Sequence, residues 1–272
     1  PGFDFTAFYA RGGILGPLRD KNSLPMLTVQ GFGDHQVAMN LAAGVLAALF
    51  KAKMTGEGDH VVVSLFHSAI WDISLMLQAS QYGADSTQYP MERWKLGNPL
   101  VLCYETADGQ WLQIAMPQYD RHYPILMNAM GYPELADDAR YYPQKNLIPN
   151  REEFSAWITA EFKKKTCDEW CKLLDANDLP YAIAQEWDSL LEDKQAWASD
   201  CFYEMSYSNG NKRTLVRPPV LFDQMGLPPY ERGPYLGEQT KDILGELGYS
   251  AEAIDELIKS GAVIDMDPAL RD

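Results

Sequence analysis

The sequence predicts an α/β protein with a second, smaller α+β unit. Three observations carry this. Residues 36–53 are helix formers with apolar residues at helical spacing. Val61-Val62-Val63 follows as an uninterrupted β-branched run, and residues 66–81 return to helical spacing. A helix, a short turn, a strand apolar on both faces and another helix are the parts of an α/β layer.

Residues 1–33 are rich in glycine and aromatics, with turn clusters at Gly12-Gly13, Gly16-Pro17 and Asp20-Lys21-Asn22. In the helix over 36–53, Val37, Leu41, Val45, Leu46 and Leu49 make one face, and Ala38, Ala42, Ala43, Ala47 and Ala48 a second. Small residues permit close approach, so this helix is expected to be buried. The turn at 55–59 leads to Val61-Val62-Val63, read as a strand buried in a parallel sheet. Residues 82–99 are polar, with Gly83, Pro90, Gly97 and Pro99, and read as a linker. Residues 100–104 and 110–116 flank Ala107-Asp108-Gly109, a hairpin signal. A helix over 119–130 is stopped by Gly131, and Asn150 with Glu153, then Thr166 with Glu169, are capping-box pairs opening two more. A second hairpin surrounds Asn209-Gly210, and two final helices begin after Thr240 and Ser250 and stop at Gly248 and Gly261. The organisation is therefore 1–81, a large-domain segment; 82–99, a linker; 100–188, a smaller α+β domain; and 189–272, a return to the large domain.

Composition excludes several classes. At 272 residues and 46% hydrophobic the chain can bury a sizeable core. A formal net charge of −15 without a basic run opposes nucleic acid and anionic membranes as partners. Four cysteines are too few for a disulfide scaffold and fit a reduced, cytoplasmic setting. The longest apolar stretch, residues 37–50, is interrupted by Asn40 and Gly44, short of the roughly 18 residues that span a bilayer. The start at Pro1-Gly2-Phe3, with no initiator Met, reads as cut from something longer. Neither a phosphate loop, a dinucleotide fingerprint nor a nucleophile elbow is present, and the four histidines share no zinc-ligand spacing. Carboxylates remain as the chemistry to weigh.

Asp34, in Gly31-Phe32-Gly33-Asp34-His35, directly precedes the alanine-rich helix. As an N-cap it would accept backbone N–H bonds and feel the positive end of the helix dipole. Gly31 and Gly33 leave room for another group to come close. An approachable carboxylate is a nucleophile toward an acyl carbonyl. A purely structural cap is the commoner role of such an Asp, and local sequence leaves both open.

A wider pattern bears on the choice. Gly33-Asp34, the small-residue helix, Thr55-Gly56-Glu57-Gly58, Val61 to Leu65, Thr106-Ala107-Asp108-Gly109, Asp168-Glu169-Trp170, Leu179-Pro180-Tyr181-Ala182 and Leu236-Gly237-Glu238-Gln239-Thr240 occur in order along nearly the whole chain. Together they resemble family III (CaiB/BaiF-type) CoA-transferases. Pro1 to Phe8, Gly33-Asp34-His35-Gln36 and Ala184-Gln185-Glu186-Trp187 are most similar to the (R)-2-hydroxyacid members of amino-acid fermentation. The resemblance covers the C-terminal two-thirds of a family member. It implies a partial Rossmann-like large domain with an inserted smaller α+β domain, lacking the N-terminal segment, so that the chain by itself is expected to expose apolar surface at Val61 to Leu65 and along the alanine face of the preceding helix.

It also implies function. Asp34 becomes the catalytic residue, forming an aspartyl anhydride and then an aspartyl-CoA thioester. Acyl-CoA and a carboxylic acid are the substrates, with no tightly bound cofactor and no metal. Phe3 and Asp4 lie where family members line the CoA channel, and His35 either orients Asp34, touches substrate or simply packs. Gly97-Asn98-Pro99 matches the family's site loop but departs from its multi-glycine form and is stiffened by proline. Full-length members form interlinked homodimers. Related acyl-CoA racemases carry His where Phe3 stands; a two-face proton exchange needs two titratable groups, so Phe3 disfavours that activity. Arg11 is read as a structural ion pair, and Trp157, Trp170, Trp187 and Trp197 as core. The rival class is a non-catalytic subunit or inactive fragment of the same fold.

Overall fold

The computed structural model describes residues 2–26, 28–83, 89–207, 210–224, 226 and 230–266. Pro1, Asn209 of the second hairpin signal and residues 84–88 of the linker lie outside them. The chain divides into two compact units, 1–184 and 185–272.

The first unit opens with a π-helical segment, Asp4–Ala10, followed by α1 (Phe32–Thr55), α2 (Leu65–Asp72) and α3 (Ser74–Ala79). The hydroxyl of Ser64 caps α2 by accepting from His67 N at 3.1 Å. The contact stripe of α1 differs from the one its apolar pattern predicts. Gln36, Asn40, Gly44, Ala48 and Ala52, four apart, are partly covered, while Leu41, Val45 and Leu49 are exposed. Gln36 Nε2 donates to Asp72 at 3.1 Å, Asn40 Nδ2 to Ser68 Oγ at 2.9 Å, and Gly44 sits so near Val61 that a Cβ would come within 2.7 Å. The two polar-looking breaks, Asn40 and Gly44, thus fix α1 to its neighbours. They do not interrupt it, so by length and composition α1 is long and apolar enough to cross a membrane, contrary to the sequence reading.

One expectation is met here and one fails. The alanine face is open, as expected for this chain by itself: Ala38, Ala42, Ala43 and Ala47 are exposed. Val61-Val62-Val63 forms no strand, and Val62 is 74% exposed. A strand needs a ladder partner for its N–H and C=O groups, and among the described residues none lies beside this run. The Rossmann-like layer expected over 1–81 therefore shows helices without a sheet among the described residues.

The smaller α+β layer does form. It runs through β1 (Cys103–Glu105), β2 (Trp111–Ile114), α4 (Tyr119–Met130), α5 (Gln144–Leu147), α6 (Arg151–Phe162), α7 (Cys167–Ala176) and β3 (Tyr181–Ile183). The sheet is antiparallel in the order β1-β2-β3, with Tyr104 opposite Leu112 and Leu112 opposite Ile183. Its inner face places Tyr104, Leu112 and Ile114 against Leu126, Phe154, Ile158, Phe162, Trp170 and Leu174, all buried. Tyr104 stacks on Phe162 with centroids 4.5 Å apart, and Trp170 Nε1 donates to Phe162 O at 2.8 Å, so the largest apolar side chains also satisfy their polar tips.

The hairpin turn is also a helix cap. Asp108 accepts from Thr106 Oγ1 at 2.5 Å and from Cys167 N at 3.2 Å, the first amide of α7. The Thr106 hydroxyl, then the Cys167 amide, hold its carboxyl below the usual carboxylate range. The Thr166–Glu169 box forms in full, with Glu169 returning to Thr166 N at 2.8 Å. The Asn150–Glu153 box does not. Asn150 Nδ2 donates instead to Arg140 O at 2.9 Å, and Glu153 accepts from Tyr141 OH at 2.9 Å. Tertiary partners outbid the local pairing. Part of the segment read as linker is packed: Asp20 bridges to Met91, Lys21 N donates to Met91 O at 2.7 Å, and Arg93 lies over the Tyr104 ring at 5.1 Å.

The second unit holds α8 (Trp187–Leu191), α9 (Lys194–Ala198), the antiparallel hairpin β4 (Phe202–Ser206) and β5 (Lys212–Val216), then α10 (Thr240–Glu246) and α11 (Ala251–Lys259). Trp170 is buried and Trp157 packs on the core, but Trp187 is exposed, and Trp197, with 39% of its surface open, packs on Phe202 outside that core, which corrects the reading of these two as core. All four cysteines are free.

Glu92 ties 19–21 to 91–95. Hydrogen bonds from Lys21 and Lys95 hold its carboxyl at about 2, below an ordinary 4.5. A depressed folded-state pKa gives stability that is present above the unfolded value and lost as pH falls through the folded one. Glu92→Gln should therefore lower the thermal midpoint above pH 4.5. The difference from the parent should shrink as pH falls from 4.5 towards 2, a trend read directly from paired melting curves.

Candidate active site

The head of α1 is built from three stretches of sequence. Gly31 precedes the helix with φ 76°, a left-handed conformation that glycine adopts without a Cβ penalty. Phe32, Gly33 and Asp34 then form the first turn, so Asp34 stands inside the helix and is not its N-cap, as the sequence had led one to expect. The capping oxygen comes from elsewhere: Asp4 Oδ1 accepts from Gly33 N at 3.1 Å, across 29 residues. Gly33 is required for that approach. A Cβ there would lie 2.3 Å from the Phe8 ring and 2.4 Å from Asp4 Oδ1. The space left by this glycine is thus taken by Phe8 and Asp4.

Asp4 is 6% exposed, and its second oxygen, Oδ2, is buried with no hydrogen-bond partner. Phe8 is buried beside it, edge-on to Phe32 at 6.4 Å and to Tyr9 at 5.4 Å. Burial, and then the Asp4 carboxylate, push the Tyr9 phenol upward in pKa. Against this closed floor the outer side is open. Asp34 and His35 are exposed, and the Asp34 carboxylate makes no hydrogen bond or ion pair among the described residues. A carboxylate spared from capping keeps its lone pairs for an incoming electrophile. Phe3, 68% exposed, adjoins Asp4 and has its backbone N–H tied to the Thr6 hydroxyl at 3.3 Å. Phe3, Asp34 and His35 therefore share one neighbourhood. Arg11, read as an ion pair, lies over the Phe66 ring at 5.1 Å. Nearly two turns beyond Asp34, Asn40 lines a hollow of about 410 Å³ with Val62, Ser64, His67, Ser68 and Trp71.

Gly97-Asn98-Pro99 is held elsewhere. Asn98 Oδ1 caps a short turn by accepting from Leu100 N at 2.9 Å, and its Nδ2 donates to Met116 O at 3.1 Å. Gly97 O accepts from Gln144 Nε2 at 3.0 Å, and Pro99 O from Tyr104 OH at 2.7 Å. These bonds run into the smaller α+β layer and not to the head of α1. Among the described residues no group of three or more His, Cys, Asp or Glu is placed to hold a metal ion.

The capping partnership of Asp4 was hidden in the sequence, which offers only a lone acidic residue among aromatics. Gly33→Ala tests the packing it depends on. Overpacking a closed site costs about 1–3 kcal/mol, and here the new methyl meets a buried ring and a carboxylate. The variant should melt well below the parent, and amide exchange should accelerate at the head of α1. An unchanged melting curve would contradict the geometry.

Residues 1–240 match the family model of CoA-transferase family III. Over 260 residues the chain is 46% identical to cinnamoyl-CoA:phenyllactate CoA-transferase of Clostridium sporogenes, covering 95% of this chain and 63% of that protein. Over 263 residues it is 37% identical to (R)-2-hydroxy-4-methylpentanoate CoA-transferase of Clostridioides difficile, covering 97% and 65%. The chain thus spans a little under two thirds of the length of these relatives. A crystal structure of a CAIB/BAIF family protein from Brucella suis superposes with a TM-score of 0.74 at 21% identity, over 90% of this chain and 63% of that one. That likeness bears on the fold alone.

Proposed function

The chain belongs to CoA-transferase family III, and from that premise we propose that it moves CoA from an acyl-CoA donor to a carboxylic acid, with Asp34 as nucleophile. The observation that carries this is the exposed Asp34 on the first turn of α1, its carboxylate unengaged among the described residues while Asp4 caps the helix. The Asp34 carboxylate attacks the donor thioester carbonyl, giving a mixed anhydride and expelling CoA thiolate. The thiolate attacks the aspartyl carbonyl, releasing the donor acid and leaving an aspartyl-CoA thioester. The acceptor carboxylate attacks that thioester and expels thiolate again. The thiolate then takes the acceptor acyl group, forming product acyl-CoA and restoring Asp34. No net proton or electron is exchanged.

The names of both relatives include a 2-hydroxy acid, phenyllactate in one and (R)-2-hydroxy-4-methylpentanoate in the other, which supports an (R)-2-hydroxy acid as substrate. Anhydrides hydrolyse in water, so the site must be closed during turnover. In this scheme Phe3 and His35 contact CoA or substrate, and Gly97-Asn98-Pro99, tied into the smaller α+β layer, closes the site only as part of that layer. The large domain is Rossmann-like in this scheme. Val61-Val62-Val63 becomes a sheet strand once the further third of a full-length family member lies beside it, the protein working as an interlinked homodimer in the cytoplasm. Phe3 cannot titrate and argues against racemisation. A non-catalytic subunit of the same fold is the reading to exclude.

In the full-length protein, Asp34→Ala should abolish CoA transfer with the melting curve preserved; near-normal turnover would sink the mechanism. Hydroxylamine added during turnover should convert Asp34 to a hydroxamate, seen by peptide mass spectrometry over residues 31–51. A cap or a general base is never acylated, so turnover without an adduct would point to direct transfer in a ternary complex. No turnover and no adduct would leave the non-catalytic subunit.

A further inference from the structure

The first turn of α1 needs an acceptor for its unpaired N–H groups, and the nearest acid in the sequence, Asp34, does not supply it. Asp4 does, from the π-helical segment beneath, through one oxygen at 3.1 Å from Gly33 N. Its other oxygen is buried without a donor. Leaving a buried carboxylate oxygen unsatisfied is unfavourable, and a fold under no other demand would cap this helix locally with an exposed Ser, Thr or Asp. Moving the cap to a residue 29 positions away achieves one thing a local cap cannot. It satisfies the helix while leaving the next side chain, Asp34, outside the capping geometry.

From this we infer that Asp4 is a positioning residue for the transfer reaction: its Oδ1 pins the Gly33 amide, and with it the turn that presents Asp34. The inference rests on Asp34 being the nucleophile. Three groups fix the turn. Asp4 Oδ1 holds its amide, the Phe8 ring closes over the Gly33 Cα, and Gly31 sets the chain direction into the helix. Without Asp4, Gly33 N–H has no acceptor, and the carboxylate nearest along the chain is that of Asp34 itself. Asp34 would then be drawn into capping, and a carboxylate that accepts backbone N–H bonds is a poorer nucleophile. The consequence is a fall in kcat at constant acyl-CoA binding.

Two replacements separate position from charge. Asp4→Asn keeps an acceptor oxygen in place and removes the charge; Asp4→Glu keeps the charge and displaces the acceptor by one methylene. In the full-length protein we expect Asp4→Asn to hold kcat within about threefold of the parent. Asp4→Glu and Asp4→Ala should lower kcat by roughly tenfold or more, with KM for acyl-CoA within twofold. Hydroxylamine trapping at Asp34 should slow by the same factor as kcat. Loss of fold alone would lower the active fraction, not the per-site trapping rate of the folded enzyme after active-site titration. If Asp4→Ala does not fold, the Asn and Glu pair decides the matter. Asp4→Asn as impaired as Asp4→Glu, or a rise in KM at unchanged kcat, overturns the assignment. Normal trapping of Asp34 in the parent with undiminished kcat in Asp4→Glu overturns it while sparing the nucleophile. Absence of trapping in the parent removes both.

Discussion

One hydrogen bond organises the region that matters most: the Gly33 amide donating to Asp4. It joins the first residues of the chain to the head of a 24-residue helix, and it does so under a buried aromatic floor. Because the acceptor arrives from below, the residues above, Asp34 and His35, remain turned to solvent. Because the approach is so close, position 33 admits no side chain. Three residues of the Gly31 to His35 sequence can be read beside that geometry: a left-handed glycine at the entry, a glycine pressed upon by Phe8 and Asp4, and an acid with no hydrogen-bond partner among the described residues.

The smaller α+β layer is held differently. Its sheet is short, with strands of three or four residues, and such a sheet depends on a packed face. Tyr104 stacked on Phe162, with Trp170 tilted against that ring, supplies it, the phenol and indole polar groups being paired to backbone carbonyls. The Tyr104 phenol, pushed upward in pKa by burial, reaches Pro99 and thereby anchors 97–99 to the same core.

How much of this could be read from sequence depends on how local the physics is. Thr166 with Glu169 is self-contained, and it forms as written; the Ala107-Asp108-Gly109 turn likewise sits between paired strands. Asn150 with Glu153 carries the same pattern and fails, since Arg140 and Tyr141 compete for the two side chains. Asp34 was legible as a residue of interest but not as an uncapping one, because its substitute lies 29 residues away. The contact face of α1 was misread for a related reason: Gln36 and Asn40 find hydrogen-bond partners on α2, and polarity alone does not say which side of a helix meets its neighbour. The triple valine needed a strand beside it that no described residue provides.

Asp108 carries a consequence for how the smaller layer opens and closes. The same carboxylate that closes the β1–β2 turn receives the first amide of α7, while Ala107 N donates to Lys165 O at 2.9 Å. Turn and helix start are therefore one joint. Fraying of the hairpin releases the Cys167 amide, and unwinding of α7 from that end removes a hydrogen bond from the turn. Breathing motions that in a looser layout would be confined to a loop are here shared between sheet and helix. Residues 103–114 and the beginning of α7 are thus expected to open together, to the extent that Asp108 and not the Thr166–Glu169 box holds that end of α7.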